Sequence, residues 1–188
     1  MRKLKLQMQQ TVNGYVAGPN GELDWMNCNW SDDISQFVTE LTDSIDTILL
    51  GRNMTDGFIS YWDAAAKDPD DPNQEFAQKM VNAHKVVFAK TLEKSAWENT
   101  VLAKGNITDE VNKLKAGEGK DIIVYGGAGF VSSLIKENLI DELYLFVNPA
   151  AIATGLSIFN RLEGQMNLKL IESRAFDCGI VLLSYSPA

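Results

Sequence analysis

The chain has 188 residues, 45% hydrophobic and 22% charged, which is the composition of one globular domain (residues 1–188) with room for a sizeable core. A net charge of −8 and an isoelectric point near 4.7 argue against nucleic acid as a general partner, so any bound anion must be held by a local basic site working against the overall field. Cys28 and Cys178 form no CxxC pattern and have no neighbouring histidine, which disfavours a zinc or other metal site and suggests reduced thiols in the cytoplasm.

The basic N-terminus alternates Lys3-Leu4-Lys5-Leu6 where a signal peptide would carry an apolar block, and Leu4, Leu6 and Met8 continue the alternation as a half-buried strand. No apolar run reaches membrane-spanning length, so a soluble cytoplasmic protein is expected. Thr11 to Asn29 is a long, turn-rich segment holding Asn13-Gly14 and Gly18-Pro19-Asn20-Gly21, a length often associated with function. From Ser31 the spacing of Ile34, Phe37, Val38, Leu41 and Ile45 predicts a helix, with Ser31 as cap and Asp32 and Asp33 in the first turn.

Thr47–Leu50 reads as a short buried strand ended by Gly51-Arg52, followed by a short helix to Phe58. Asp63 to Asn73, acidic and carrying Pro69 and Pro72, is expected as an exposed loop, with helix returning over Gln74–Asn82. Lys85–Phe88 and Thr100–Leu102 are strands, and Ile107, Val111 and Leu114 mark another helix. Ile122-Ile123-Val124 runs straight into Tyr125-Gly126-Gly127-Ala128-Gly129 and then a helix carrying Phe130, Val131, Leu134 and Ile135. Asp141–Val147 is a strong strand, and Leu168–Ala175 and Ile180–Tyr185 flank a hairpin turn at Phe176-Asp177-Cys178-Gly179. The alternation predicts a three-layer α/β sandwich: a mostly parallel central sheet with an antiparallel C-terminal hairpin.

Three strand ends share a chemical character. Leu50-Gly51-Arg52, Phe88-Ala89-Lys90-Thr91 and Tyr125-Gly126-Gly127 each follow a buried run and offer small residues, a cation or free backbone donors. Ligands of open parallel sheets bind outside the carboxyl ends of the strands, and an uncapped helix start after glycines suits a phosphate. Side by side, the three would form an anion-binding rim for a nucleotide, with Lys90 and Thr91 suited to an extra ribose phosphate and hence to NADP over NAD. Taken singly, Arg52 and Lys90 read first as solvated surface cations; it is the three ends together that point to a site.

The segments Thr11–Gly18, Gly21–Trp25, Leu49–Arg52, Lys85–Leu92, Trp97–Thr100, Tyr125–Gly127 and Leu139–Leu143 occur in an order that resembles the dihydrofolate reductase-like family, in the branch similar to the C-terminal reductase domain of bacterial riboflavin biosynthesis. The resemblance covers nearly the whole chain. It implies a dihydrofolate reductase-like fold and a reductase taking hydride from NADPH. By position it implies that Gly51, Arg52, Asn53 and Met54 lie near the cofactor phosphates and that Ala89, Lys90 and Thr91 face the adenosine ribose and its 2′-phosphate. Gly126, Gly127, Ala128, Gly129 and Phe130 would wrap the pyrophosphate, with Val16 and Ala17 beside the nicotinamide. Members of the family commonly carry Thr where this chain has Met54 and Ser where it has Ala89.

On the substrate side, hydride transfer leaves charge on the neighbouring heteroatom, so a proton source helps. Asp24 is the candidate, with Asp32 and Asp33 as competitors and a plain turn carboxylate as the alternative. Trp25, Asp32 and Tyr15 are the candidate substrate contacts; Trp25 and Trp30 either stack on a flat heterocycle or close the core under the loop. His84, the only histidine, has no partner pattern and reads as a helix-end residue. The Thr11–Asn29 segment has no Lys or Arg, which weakens assignment to a phosphorylated pathway substrate such as 5-amino-6-(5-phosphoribosylamino)uracil. A non-catalytic dinucleotide-binding module, serving as a sensor or dimeric scaffold, is the competing reading. A homodimer is expected, paired through the Leu143–Val147 strand or the terminal hairpin.

Overall fold

A computed structural model describes residues 1–188. Eight strands form one sheet in the order β4-β3-β2-β5-β1-β6-β8-β7. They are β1 (Leu4–Thr11), β2 (Ile45–Gly51), β3 (His84–Phe88), β4 (Thr100–Ala103), β5 (Asp121–Val124), β6 (Glu142–Asn148), β7 (Leu168–Ala175) and β8 (Val181–Pro187). The first six run parallel, and β8 pairs antiparallel with both β6 and β7. The helices are α1 (Asp32–Asp43), α2 (Arg52–Lys67), α3 (Gln74–Asn82), α4 (Ile107–Ala116) and α5 (Ala128–Lys136). This is the expected α/β architecture with its antiparallel C-terminal hairpin.

The central strands read as continuous apolar runs because helices cover both faces. Ile48, Leu49 and Leu50 of β2 and Ile122, Ile123 and Val124 of β5 are fully buried. One face packs Leu4, Leu6, Met8, Val124, Val131 and Leu134 under α4 and α5. The other packs Ile48, Leu50, Val87 and Ile123 against α2 and α3, and Ile34, Val38, Phe146 and Leu182 around α1. Each such side chain contributes about 1.5–3 kcal/mol by burial, so the sheet is held by its two apolar layers.

The two edges of the parallel strands differ in kind. Charges latch the amino edge: Lys5 Nζ pairs with Asp121 at 2.9 Å, Lys3 with Glu142 at 2.6 Å, Lys115 with Asp141 at 2.6 Å, and Arg2 with Asp46. The carboxyl edge carries the glycine turns and the long loops, so it is the edge left for a ligand.

Several local expectations need correction. Ile45 opens β2 and does not lie on the α1 face. The helix after Gly51 runs to Lys67, because Phe58 and Trp62 pack in the α2 layer; the exposed loop therefore begins at Asp68, not Asp63. The Ser31 side chain does not cap α1: its hydroxyl donates to Asp33, whose Oδ1 accepts the Ile34 N–H at 2.8 Å. His84 begins β3, exposed, and is not a helix-end residue. Strand β6 lies between β1 and β8 and offers no edge; the sheet ends at β4 and at β7, and β7 carries Leu170 and Ile171, each 52% exposed. Cys28 and Cys178 are free thiols.

Candidate functional site

The strand order places β3, β2 and β5 side by side, so the three glycine- and cation-bearing ends are contiguous along the carboxyl edge. Gly51 pairs with Phe88, and Leu49 with Val124, which fixes the three ends at nearly one level. Gly51 lets α5 come close: a Cβ there would meet the Phe130 Cβ at 2.8 Å. The Phe130 ring in turn packs 4.9 Å from that of Phe88. The first turns of α2 and α5 are thus pressed together over the ends of β2 and β5.

Both helices start uncapped. Gly51 precedes α2 and Gly127 precedes α5, and neither residue has a side chain to cap. Gly127 has a φ of 79°, a conformation that glycine adopts without a Cβ penalty, and its carbonyl accepts from Phe130 and Val131 at 2.9 Å each. The Ala128 and Gly129 N–H groups have no acceptor within the helix, and the dipole aims its positive end outward. Gly129 is exposed, with open space where a Cβ would stand. Such a turn has the geometry of the backbone cradles in which anions bind at helix starts.

The side chains around the cradle divide into engaged and free. Arg52 is engaged: Nη1 donates to Asp56 Oδ2 at 2.7 Å, and the guanidinium lies 5.4 Å over the Trp97 ring. Lys90 and Thr91 are exposed, and Lys90 makes no ion pair. Asn53 is exposed beside them. Met54 lies over the glycine turn, its sulfur 3.3 Å from the position of a Cβ on Gly126. The neighbouring Thr55 hydroxyl is buried and donates to the Gly51 carbonyl at 3.0 Å, so it is spent inside α2. Ala89 is buried against the neighbouring strand ends, and its N–H donates to the Ala103 carbonyl at 3.2 Å.

The loop after β1 is anchored, not free. Val12 N–H donates to Ala150, Val16 N–H to Leu156, and Leu156 N–H to Ala17, each at 2.8 Å. Val16 and Ala17 are buried in this bridge, and Tyr15 packs against Gly155, where a Cβ would stand 3.1 Å from that of Tyr15. Farther along, Asp24 and Trp25 form a turn closed by the Met26 N–H to Leu23 at 3.0 Å. Asp24 is exposed, with no hydrogen bond or ion pair. Asp32 is likewise exposed at the start of α1. Asp33 is clamped: the Ser31 hydroxyl holds its carboxyl below the usual range, aided by the backbone N–H groups of Asp177 and Ile34. Sequence reasoning left Asp33 among the proton donors, but its bonds make it a clip between α1 and the hairpin turn.

Tyr125 belongs to the layer under α1 and α2. Its ring stacks on Phe58 at 5.7 Å, and burial pushes its hydroxyl up to about 12. A groove of about 320 Å³ lies away from the rim, between β4 and α4, lined by Val101, Glu110 and Lys113 among others. The structure brings together no group of three or more His, Cys, Asp or Glu. No helix is long and apolar enough to cross a membrane.

A mostly parallel three-layer α/β fold with glycine turns along its carboxyl edge defines the class. Residues 2–182 match the family model of the RibD C-terminal domain, and the chain belongs to that family. It is 34% identical to the uncharacterized protein YyaP of Bacillus subtilis (strain 168) over 185 residues, 98% of this chain and 94% of that one. It is 24% identical to the riboflavin biosynthesis protein RibD of Corynebacterium ammoniagenes over 166 residues, 85% of this chain but 48% of that protein. Among solved structures, a Shewanella sp. PV-4 protein named for riboflavin biosynthesis superposes with a TM-score of 0.74 at 24% identity, covering 100% of this chain and 99% of that one. The Thermotoga maritima diaminohydroxyphosphoribosylaminopyrimidine deaminase/5-amino-6-(5-phosphoribosylamino)uracil reductase superposes with a TM-score of 0.70 at 16% identity, covering 100% of this chain and 57% of that one.

Proposed function

We propose that the protein is an NADPH-dependent reductase of a small planar heterocycle, related in chemistry to the reductase half of RibD. The observation that carries the reading is the contiguity of the β3, β2 and β5 ends, which sets an exposed, unpaired Lys90 on the same rim as the uncapped Gly127–Gly129 turn. A dinucleotide fits this donor set. The Gly126-Gly127 turn and the Ala128 and Gly129 N–H groups would hold the pyrophosphate, Lys90 and Thr91 the ribose 2′-phosphate, and Val16 and Ala17 would border the nicotinamide. NADPH, when bound, supplies the hydride.

The chain's own residues then have distinct tasks. Gly51 permits the close docking of α5 that keeps the cradle narrow, and Arg52 adds positive potential at its rim. Asp24 and Asp32, the exposed carboxyls on the loop side, are the groups that could deliver or relay a proton; Asp24 is the preferred one. The Thr11–Asn29 segment has no cation, which favours a substrate without a phosphate. A second copy pairing along the β7 edge, through Leu170 and Ile171, fits the two exposed apolar side chains there. Light scattering at low micromolar concentration checks it, and a monomer there removes it.

The test is titration with NADPH and NADH while following tryptophan fluorescence, in wild type and Lys90→Ala. Expected is NADPH binding that weakens about tenfold in the variant while NADH binding changes little. No response to either dinucleotide at millimolar concentration would reject the reductase reading. The competing reading, a dinucleotide-binding module without chemistry, draws on Met54 lying over the turn. It is favoured if NADPH binds and no heterocyclic carbonyl or imine compound oxidises it.

A further inference from the structure

Neither cysteine has a part in the proposed reaction, yet the fold brings one of them against the segment that carries the other. Cys28 lies on the exposed stretch between Trp25 and α1, and Cys178 sits at the tip of the β7–β8 hairpin. Both backbone groups of Cys178 are taken by that stretch. Its carbonyl accepts from Asn27 Nδ2 at 3.1 Å, and its N–H donates to Ser31 Oγ at 3.1 Å. The preceding N–H, that of Asp177, donates to Asp33 Oδ2 at 3.2 Å. Asn27 is held in turn, its N–H on Asn148 Oδ1 at 2.9 Å and its own Oδ1 accepting from Asn29 at 3.0 Å.

Cys28 is thus strung between two residues that grip Cys178. By standard bond lengths, those two hydrogen bonds hold the Cys178 Cα within about 7 Å of the Ser31 Cα and about 9 Å of the Asn27 Cα. A disulfide needs Cα atoms about 4.4–6.8 Å apart. Residues 28–30 belong to no helix or strand, so the Cys28 turn can close the remaining gap by tipping onto the hairpin.

The two thiols differ in character. Cys28 is exposed, its Sγ 3.7 Å from the Met26 carbonyl. Cys178 is partly buried, packed against the apolar cluster around α1. Burial works against its thiolate, but the Ile180 N–H and the Ser31 hydroxyl and N–H outweigh it and hold the thiol below the ordinary cysteine range. Cys178 therefore carries more of the attacking form at neutral pH than an ordinary thiol.

We propose that Cys28 and Cys178 are a redox-sensitive pair that closes to an intramolecular disulfide on exposure to a small-molecule disulfide, fastening the Asp24–Trp25 turn to the C-terminal hairpin. The Cys178 thiolate attacks one sulfur of the oxidant and expels a thiolate, leaving a mixed disulfide. The Cys28 thiolate then attacks the Cys178 sulfur and expels the second. The two cysteines lose two electrons and two protons, and the oxidant takes them up as two thiols. The pairing stands apart from the reductase reading, since no step uses a dinucleotide.

The experiment treats the full chain with oxidised glutathione, quenches with acid, and labels the remaining thiols with a maleimide–polyethylene glycol. Expected is loss of both labels from a species that runs as a monomer on a non-reducing gel, with the Cys28 and Cys178 peptides joined in its digest. Cys28→Ser is expected to stop at one glutathione on Cys178, and Cys178→Ser to react about tenfold more slowly than wild type. Asn27→Ala removes the bond to the Cys178 carbonyl and is expected to slow closure about fivefold, leaving the first step unchanged. Wild type that keeps both thiols, carries glutathione on each, or cross-links chain to chain would overturn the proposal. So would equal rates of closure in wild type and Asn27→Ala. Closure is read on wild type itself, so a variant that fails to fold leaves the decision intact.

Discussion

Gly51 and Phe130 meet so closely that a Cβ on the glycine would stand 2.8 Å from the Phe130 Cβ. This contact joins two helix starts that are far apart in sequence, and it sets how closely α5 docks on the end of β2.

Gly51→Ala isolates that contact. Gly51 has an ordinary extended backbone (φ −74°, ψ 144°), so a methyl there costs nothing conformationally and the entire penalty is steric. A loss of about 1–3 kcal/mol is expected from overpacking, read as a lower urea midpoint with unchanged m-value. A midpoint within error of wild type would mean that α5 can move aside freely.

Gly127→Ala gives the opposite separation. A Cβ there would lie 3.6 Å from Phe130, an ordinary contact, but the φ of 79° is costly for alanine. The expected cost is about 1–2 kcal/mol, with NADPH binding weakened as the turn relaxes. Full stability together with full binding would remove Gly127 from the cradle.

Asp56→Ala releases Arg52, whose Nη1 it holds at 2.7 Å. Both partners are partly exposed, so stability should change by less than about 0.5 kcal/mol. Dinucleotide affinity should rise about threefold at low salt, and the gain should fade as salt is added. Unchanged affinity at low salt would show that Arg52 does not face the phosphates.

Lys85 supplies a pH signature independent of the site. It is 3% exposed, its Nζ donates to Val81 at 2.7 Å and to Ala83 at 2.9 Å, and burial pushes its pKa down to about 8 from 10.5. Between those values the unfolded chain holds a proton that the folded chain has released, so stability rises with pH there. Above pH 10 the unfolded tyrosines ionise first, because burial raises Tyr125 to about 12, and stability falls again. Urea midpoints at about pH 7 and about pH 9.5 should differ by roughly 1 kcal/mol in wild type and show no such rise in Lys85→Met.

The legible part of the fold was local. Period-two alternation in β1, the apolar runs of β2 and β5 and the helical spacing in α1 and α5 are set by neighbours within a few residues. Ile45 was misread because an apolar residue at helical spacing fits a strand start equally well. The long α2 was missed because the packing of Trp62 is a tertiary fact. At the site, the Gly127 turn was readable, since only glycine favours its backbone. The role of Asp33 was not, because the Asp177 N–H that holds its carboxyl comes from a distant segment.

The sequence by itself determined the order of strands and helices and the positions where glycine must stand, since hydrophobic period and backbone freedom act over short stretches. Only the tertiary structure decided that β3, β2 and β5 are neighbours, that Arg52 is held by Asp56 while Lys90 is free, and that Thr55 is spent inside its own helix. Those outcomes depend on which distant segments are pressed together by burial, and no short-range pattern encodes that choice.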